Sequence, residues 1–302
     1  MLPVHDGKVI TTVNSRNTSE SVGTVSPRDA RSWLLEPGTR THELEGRIRR
    51  YDPDAVILDL EDGVAPEDRP RARDEIHDWA TGGGQAWIRV NAATTSDWGV
   101  DLEFAARCPG ILGVVLAKAE SAAQIDATAA ELGDFGGGLI ALIESATGVL
   151  DAVAIARSKS LTRLAFGSGD FRHDTATTDD SATAMGARAH LVLASRSAGL
   201  PAPIDGPSLA SDVGGLRNYC RRSLATGMGG MLCVKPDHIG MINTEFAPSP
   251  EDVRGARELL AARTDSIDGS YLPRLRAAEA ILDRARTYRI DTIEEAQVSA
   301  SR

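Results

Sequence analysis

Short apolar runs, many of them β-branched, recur along the chain, and most are followed by a stretch with apolar positions at helical spacing. The runs cover residues 32–35, 55–60, 86–90, 113–116, 139–143, 163–166, 202–204 and 231–234. Amphipathic stretches between them include 70–81, 122–132, 148–158, 182–198 and 216–226. Near-continuous apolar strands, as opposed to alternating ones, belong to parallel sheets covered by helices. Eight such runs alternating with helices predict an α/β fold, a (β/α)8 TIM barrel. The glycine triplets at 82–84 and 136–138 precede the third and fifth runs, where a helix must stop and the chain turn. They read as turns and not as phosphate cradles.

Residues 1–28 are rich in Ser, Thr, Asn and Val without a period and read as a mobile N-terminal arm. The barrel is expected over 29–264. Near its end, SPEDVRGARELLAA begins with Ser249 as an N-cap and has acidic residues in the first turn. A further helical pattern at 273–286 predicts a C-terminal helical extension within 265–302.

Composition narrows the partners. The net charge is -10, from 33 basic and 43 acidic residues, which argues against nucleic acid. It leaves room for a small anion held by a few local cations. Cys108, Cys220 and Cys233 form no CxxC pair and suit a reducing compartment. The start of the chain lacks the basic and apolar pattern of a signal peptide, and the apolar stretch 139–156 is interrupted by Glu144 and Asp151. A soluble cytoplasmic protein without membrane contact is the expectation.

In a TIM barrel the C-terminal ends of the strands carry the chemistry, because the βα loops converge there. Reading those positions in order gives Glu36, then Asp59 with Glu61 and Asp62, Arg89 with Asn91, Lys118, Glu144, Asp170, Asp205 and Lys235. Every run ends in a charged group, so a cluster at one rim is expected. Glu144 and Asp170 follow neighbouring buried strands. Two carboxylates so placed repel, and a hard divalent cation such as Mg2+ relieves the repulsion; a hydrogen-bonded rim pair without metal is the alternative. Arg89 can take a carboxylate bidentately, or bridge to Asp59 or Glu61 and shape the rim. Asp59, Glu61 and Asp62 can orient Arg89, hold water, act as a base or form a network without chemistry. Lys118 is read as an electrostatic or structural lysine, since nothing local marks a desolvated Schiff-base pocket. The histidines lack ligand spacing.

The ordered set RSWLLEPGTR, AVILDLEDGVAPEDRPRAR, WIRVN, GVVLAKAES, LIALIESATGVL, LAFGSGDF and GMGGMLCVKPDHIGMINTEFAPSPEDV resembles the citrate lyase beta-subunit-like group. That group, with malyl-CoA and citramalyl-CoA lyases, belongs to the HpcH/HpaI aldolase superfamily. The resemblance implies a TIM barrel that cleaves or forms a C–C bond in a 3-hydroxyacyl-CoA thioester, releasing a 2-keto acid and an acyl-CoA with Mg2+. By position it implies Glu144 and Asp170 as metal ligands, Arg89 on the keto-acid carboxylate, and Arg40 and the backbone around Gly169 as substrate-binding positions. It also implies a homotrimer or hexamer whose C-terminal segment covers a neighbour's site. A relative acting on free keto-acid aldols without CoA, or a non-catalytic barrel, are the competing readings. The chain departs from the frequent LPK, GxEDL and CIHP patterns at Ala117, Gly169 and Lys235, and its tail after Asp268-Gly269 is abbreviated.

Overall fold

The structure, a computed structural model, describes residues 25–262 and 271–290. Eight parallel strands close into a barrel in chain order. They are β1 (Ser32–Pro37), β2 (Ala55–Asp59), β3 (Ala86–Val90), β4 (Ile111–Leu116), β5 (Gly138–Ile143), β6 (Leu161–Phe166), β7 (Ile204–Asp205) and β8 (Gly230–Cys233). The helices that follow them are α1 (Thr41–Tyr51), α2 (Arg69–Thr81), α3 (Asp97–Arg107), α4 (Ala122–Leu132), α5 (Ala146–Ala156), α6 (Ser168–Thr175), α7 (Ala182–Ser197), α8 (Val213–Thr226) and α9 (Ile239–Glu245). Two further helices, α10 (Pro250–Ala261) and α11 (Tyr271–Thr287), end the described chain. The fold is therefore the TIM barrel expected. Of the expected arm only residues 25–28, and of the expected extension only 271–290, are described; Asp268-Gly269 lies outside the described residues.

The strands are buried on both faces because each has two cores to meet. Inward residues Trp33, Ile57, Trp87, Val115, Ile140, Leu142, Ala165, Ile204 and Leu232 fill the barrel. The rings of Trp33 and Trp87 meet edge to face, with centroids 5.4 Å apart, and occupy its lower half. Gly113 makes room for them: a Cβ there would stand 2.3 Å from the Trp87 ring. A larger cluster, with Leu34, Leu58, Ile88, Val114, Ile143, Leu164 and Phe166, packs outward against the helices. Helix starts are set by side chains that cap backbone N–H groups, at Ser121, Ser145, Ser181 and Asp212. Ser249 and Asp252 form a reciprocal capping box at the start of α10, as its sequence predicts.

The strand boundaries fall within two residues of those expected, and β7 is shifted toward the C-terminus. Residues 202–204 were expected there, but the strand is Ile204–Asp205. Pro201 and Pro203 have no N–H to give to a ladder, so pairing starts later. No helix among the described residues is long and apolar enough to cross a membrane.

Candidate active site

Strand parity decides which of the strand-end charges enter the barrel mouth. In β2, β3 and β5, the inward series Ile57, Trp87 and Leu142 continues two residues on to Asp59, Arg89 and Glu144. In β1 and β7 the inward residues are Trp33 and Ile204, so Glu36 and Asp205 face the helices. Glu36 takes a hydrogen bond from Arg47 of α1 at 2.6 Å. Asp205 accepts from Arg188 of α7 at 2.9 and 3.0 Å, inside a buried network with Asp179 and Tyr219. Lys235 donates to the carbonyls of Leu209 and Ala210, and Asn91 to Asp101 and the Leu60 carbonyl. The expectation of a charge from every strand at one rim is thus corrected: these four residues tie the shell together.

Six groups do converge: Asp59, Glu61, Arg89, Lys118, Glu144 and Asp170. Arg89 presents its Nε and Nη2 edge to Asp59, at 2.7 and 2.6 Å. Asp59 also accepts from the backbone N–H of Glu61 at 2.9 Å and of Gly63 at 2.7 Å. The buried Asp59 carboxylate thus accepts four hydrogen bonds, two of them from the guanidinium of Arg89. Burial opposes the Arg89 charge, but Asp59, Glu61 and Glu144 outweigh it and hold its pKa above the usual arginine value. The end of the guanidinium still faces the mouth, with Nη1 3.1 Å from Glu61 Oε2. That oxygen is buried and lies off the hydrogen-bond direction, so it has a charge partner but no hydrogen bond.

Lys118 links the other carboxylates. Its backbone is left-handed, at φ 51°, a strained conformation for a non-glycine residue. This turns its N–H onto Glu144 Oε1 at 2.7 Å, while its Nζ donates to Glu61 Oε1. The same Nζ is 3.5 Å from Asp62 and 3.5 Å from Asp170. Burial disfavours the ammonium, but the Glu61 hydrogen bond and the surrounding carboxylates raise its pKa, so it is charged. Three carboxylates, Glu61, Asp62 and Asp170, thus surround this ammonium.

Glu144 is buried, and desolvation pushes its pKa up to about 8; Arg89 and the Lys118 N–H pull it down, and Glu61 and Asp170 push it up. Asp170 is in the first turn of α6, and its side chain is 42% exposed. A hard cation suits this pair. Both are oxygen donors, and two carboxylates leave most octahedral positions to water or ligand oxygens. Among the described residues no group of three or more His, Cys, Asp or Glu side chains is spaced to hold a metal ion. A Cβ at Gly167 would lie 2.5 Å from Glu144 Oε2, so the absence of a side chain there gives the carboxylate its place.

Arg40 ends the 3-10 turn after β1 and is exposed, with no ion pair or side-chain hydrogen bond among the described residues. Gly169 is exposed at the start of α6, with nothing within 4 Å of an added Cβ. Its N–H belongs to the first turn, where helix amides have no intrahelical partner. Both residues stand at the same end of the barrel as the six converging groups. The sequence reading missed Gly63 and Gly167, which act through the space they leave. The signal was a glycine within three residues of a strand-end acid.

Gly63 offers a direct test. A Cβ there would stand 2.4 Å from Asp59 Oδ2. Gly63→Ala is expected to displace the carboxylate, free the Arg89 fork and cost about 1–3 kcal/mol of stability. Its affinity for a carboxylate ligand should fall while α-helix content is kept. A variant with the wild-type urea midpoint and ligand affinity would remove the Asp59–Arg89 pair from the site's architecture.

Residues 32–236 match the HpcH/HpaI aldolase/citrate lyase family model, and residues 251–289 match the HpcH/HpaI aldolase C-terminal domain. The chain is 33% identical over 271 residues to a citrate lyase subunit beta-like protein of Mycobacterium tuberculosis, covering 84% of this chain and 94% of that one. It is 32% identical over 242 residues to a (3S)-malyl-CoA thioesterase of Cereibacter sphaeroides, covering 77% and 82%. Among solved structures, the M. tuberculosis CitE protein in complex with magnesium, acetoacetate and coenzyme A superimposes with a TM-score of 0.71 at 30% identity. That alignment covers 85% of this chain and 99% of the other. With one family model spanning the barrel and a second spanning the terminal helices, the chain belongs to the HpcH/HpaI aldolase/citrate lyase family.

Proposed function

We propose that this protein is a magnesium-dependent C–C lyase that cleaves or forms a 3-hydroxyacyl-CoA thioester, of the malyl-, citramalyl- or citryl-CoA type, yielding a 2-keto acid and an acyl-CoA. The observation that carries the reading is the pair of carboxylates, buried Glu144 and half-exposed Asp170, that flank Lys118 at the mouth beside Arg89. Glu144 and Asp170 would hold the ion. When bound, magnesium supplies Lewis acidity toward the keto-acid carbonyl and a template for its oxygens.

The chain's own groups do the rest. The outward end of the Arg89 guanidinium binds the keto-acid carboxylate, and its aim is fixed by Asp59 from behind. Glu61 holds Arg89 and Lys118 at one spacing, so the two cations face the substrate as a unit. Lys118 places positive charge where the thioester oxygen becomes an enolate. Arg40 is free to meet an anionic part of the CoA at the rim, and the amides around Gly169 offer donors beside it. The structural relative that holds magnesium, acetoacetate and coenzyme A together supports the use of CoA and an ion.

A screen of malyl-, citramalyl- and citryl-CoA with and without magnesium tests this. Release of a 2-keto acid with the acyl-CoA thioester intact is expected, and only with the ion. Keto acid from free aldols without CoA would favour the second reading, an aldolase without CoA. Release of free CoA thiol with the hydroxy acid intact would place the chain with the thioesterase it resembles.

A further inference from the structure

The barrel has a polar cavity at the end opposite the six converging groups. Its walls come from the segments that lead into β1, β7 and β8, the start of β6, and the end of α11, and its volume is about 490 Å3. Four arginines line it, Arg28, Arg163, Arg196 and Arg284, against a single carboxylate, Asp29. On a chain of net charge -10 this concentration of positive charge needs a reason.

Arg163 is the informative member. It is fully buried and points inward from the base of β6, yet no carboxylate among the described residues bonds to it. Nε donates to the Ala202 carbonyl at 2.7 Å, and Nη1 to those of Pro27 and Ala30 at 3.1 and 2.9 Å. Its Nη2 makes no hydrogen bond among the described residues and lies where a side chain at Gly229 would come within 3.0 Å. Neutral carbonyls orient the guanidinium without cancelling its charge, and burial lowers its pKa to about 10. A purely structural clamp would account for Arg163 alone. It does not account for Arg28 and Arg196, which are exposed on the same cavity and form no ion pair among the described residues. Arg284 is brought to the cavity by α11 and is held there by its bond to the Phe246 carbonyl. Leu200, Leu224 and Met228 add an apolar wall. The volume exceeds that of bare phosphate and falls in the range of small-molecule sites.

We propose that this cavity binds a small diphosphate-bearing anion, through Arg28, Arg163, Arg196 and Arg284, at a site separate from the barrel mouth. Several guanidiniums around one carboxylate suit a multiply charged oxyanion, which accepts forked hydrogen bonds from each of them. Because Arg284 lies on α11 and Arg163 on β6, the ligand would also tie the terminal helix to the barrel floor.

The test is calorimetric titration of the full chain with inorganic pyrophosphate, and separately with ADP, without added magnesium. Arg163→Gln can simply misfold, so the exposed Arg28→Gln and Arg196→Gln are the working variants. One saturable site is expected, weakened about tenfold or more by each variant, as for loss of a charge-assisted hydrogen bond. Arg40→Gln, at the opposite end, should leave it unchanged, and lyase turnover of R28Q and R196Q without pyrophosphate should match wild type. Tighter binding of ADP than of pyrophosphate would show that an organic body uses the apolar wall; equal binding would identify the diphosphate alone as the ligand. No saturable binding of either probe at millimolar concentration, or binding that moves with Arg40→Gln and not with the two floor arginines, overturns the proposal.

Discussion

Replacing Glu144 by Gln is expected to lower kcat/KM of the magnesium-dependent reaction by about a thousandfold or more, while the barrel becomes no less stable at pH 8 and above. The two halves of that result have one cause. Glu144 is a buried carboxyl whose pKa rises from its ordinary 4.5 to about 8, chiefly through desolvation. Between those values the unfolded chain has released a proton that the folded chain keeps. Folding stability from this group therefore falls as pH rises through that window, and the full penalty is present above about pH 8. Glutamine removes the penalty and still offers an oxygen to the Lys118 N–H. The gain in thermal stability of Glu144→Gln over wild type should grow from pH 5 to pH 8, where the buried carboxyl gives up its proton, and then level off. A cation on Glu144 must likewise displace the proton. Magnesium binding at pH 6 should release up to one proton, read by calorimetry in buffers of different ionisation enthalpy, and none at pH well above 8. Full turnover in the glutamine variant, or ion binding at pH 6 without proton release, would remove Glu144 from the metal site.

Arg89→Lys carries the second large effect. The guanidinium uses one edge on Asp59 and turns its end to the mouth, so a single planar group serves both structure and substrate. Lysine keeps the charge but cannot reach Asp59 with two parallel bonds and a substrate at once. The variant is expected to lose about 2–4 kcal/mol of stability, since the buried Asp59 carboxylate loses part of its compensation. It should also lose about a hundredfold or more in kcat/KM. Asp59→Asn separates the two contributions. It leaves Arg89 charged but less firmly aimed, so KM for the keto acid should rise more than kcat falls. Unchanged KM and kcat for the keto acid in Arg89→Lys would rule out the carboxylate-binding role.

The strands were legible because parallel barrel strands are buried on both faces, which leaves continuous apolar runs such as AVIL and LIALI. That same property hides parity. In β1, Trp33 and Leu34 are both apolar, yet only Trp33 points into the barrel, so nothing in the run tells that Glu36 faces α1. Asp205 was misplaced for the same reason. Glu144, Asp170 and Lys118 were legible as strand-end charges, but the way the lysine links the two acids was not. Its left-handed backbone, which brings the N–H to one acid and the ammonium near the other, is a property of the βα loop in three dimensions. The four hydrogen bonds that Asp59 accepts were equally hidden, because two come from Arg89 on the neighbouring strand.

The floor arginines mark the limit of reading along the chain. Positions 28, 163, 196 and 284 have no common spacing, and they lie one in a loop, one in a strand and two in helices. Local pattern, burial periodicity and strand-end chemistry are carried by neighbours in sequence, so the chain alone determined the barrel, its eight strands and the acids at its mouth. Which face each charge takes, and which distant charges share a cavity, depend on barrel closure and on where α11 packs. Those contacts join residues more than a hundred positions apart, such as Arg163 with Pro27 and Ala30, and only the tertiary structure decided them.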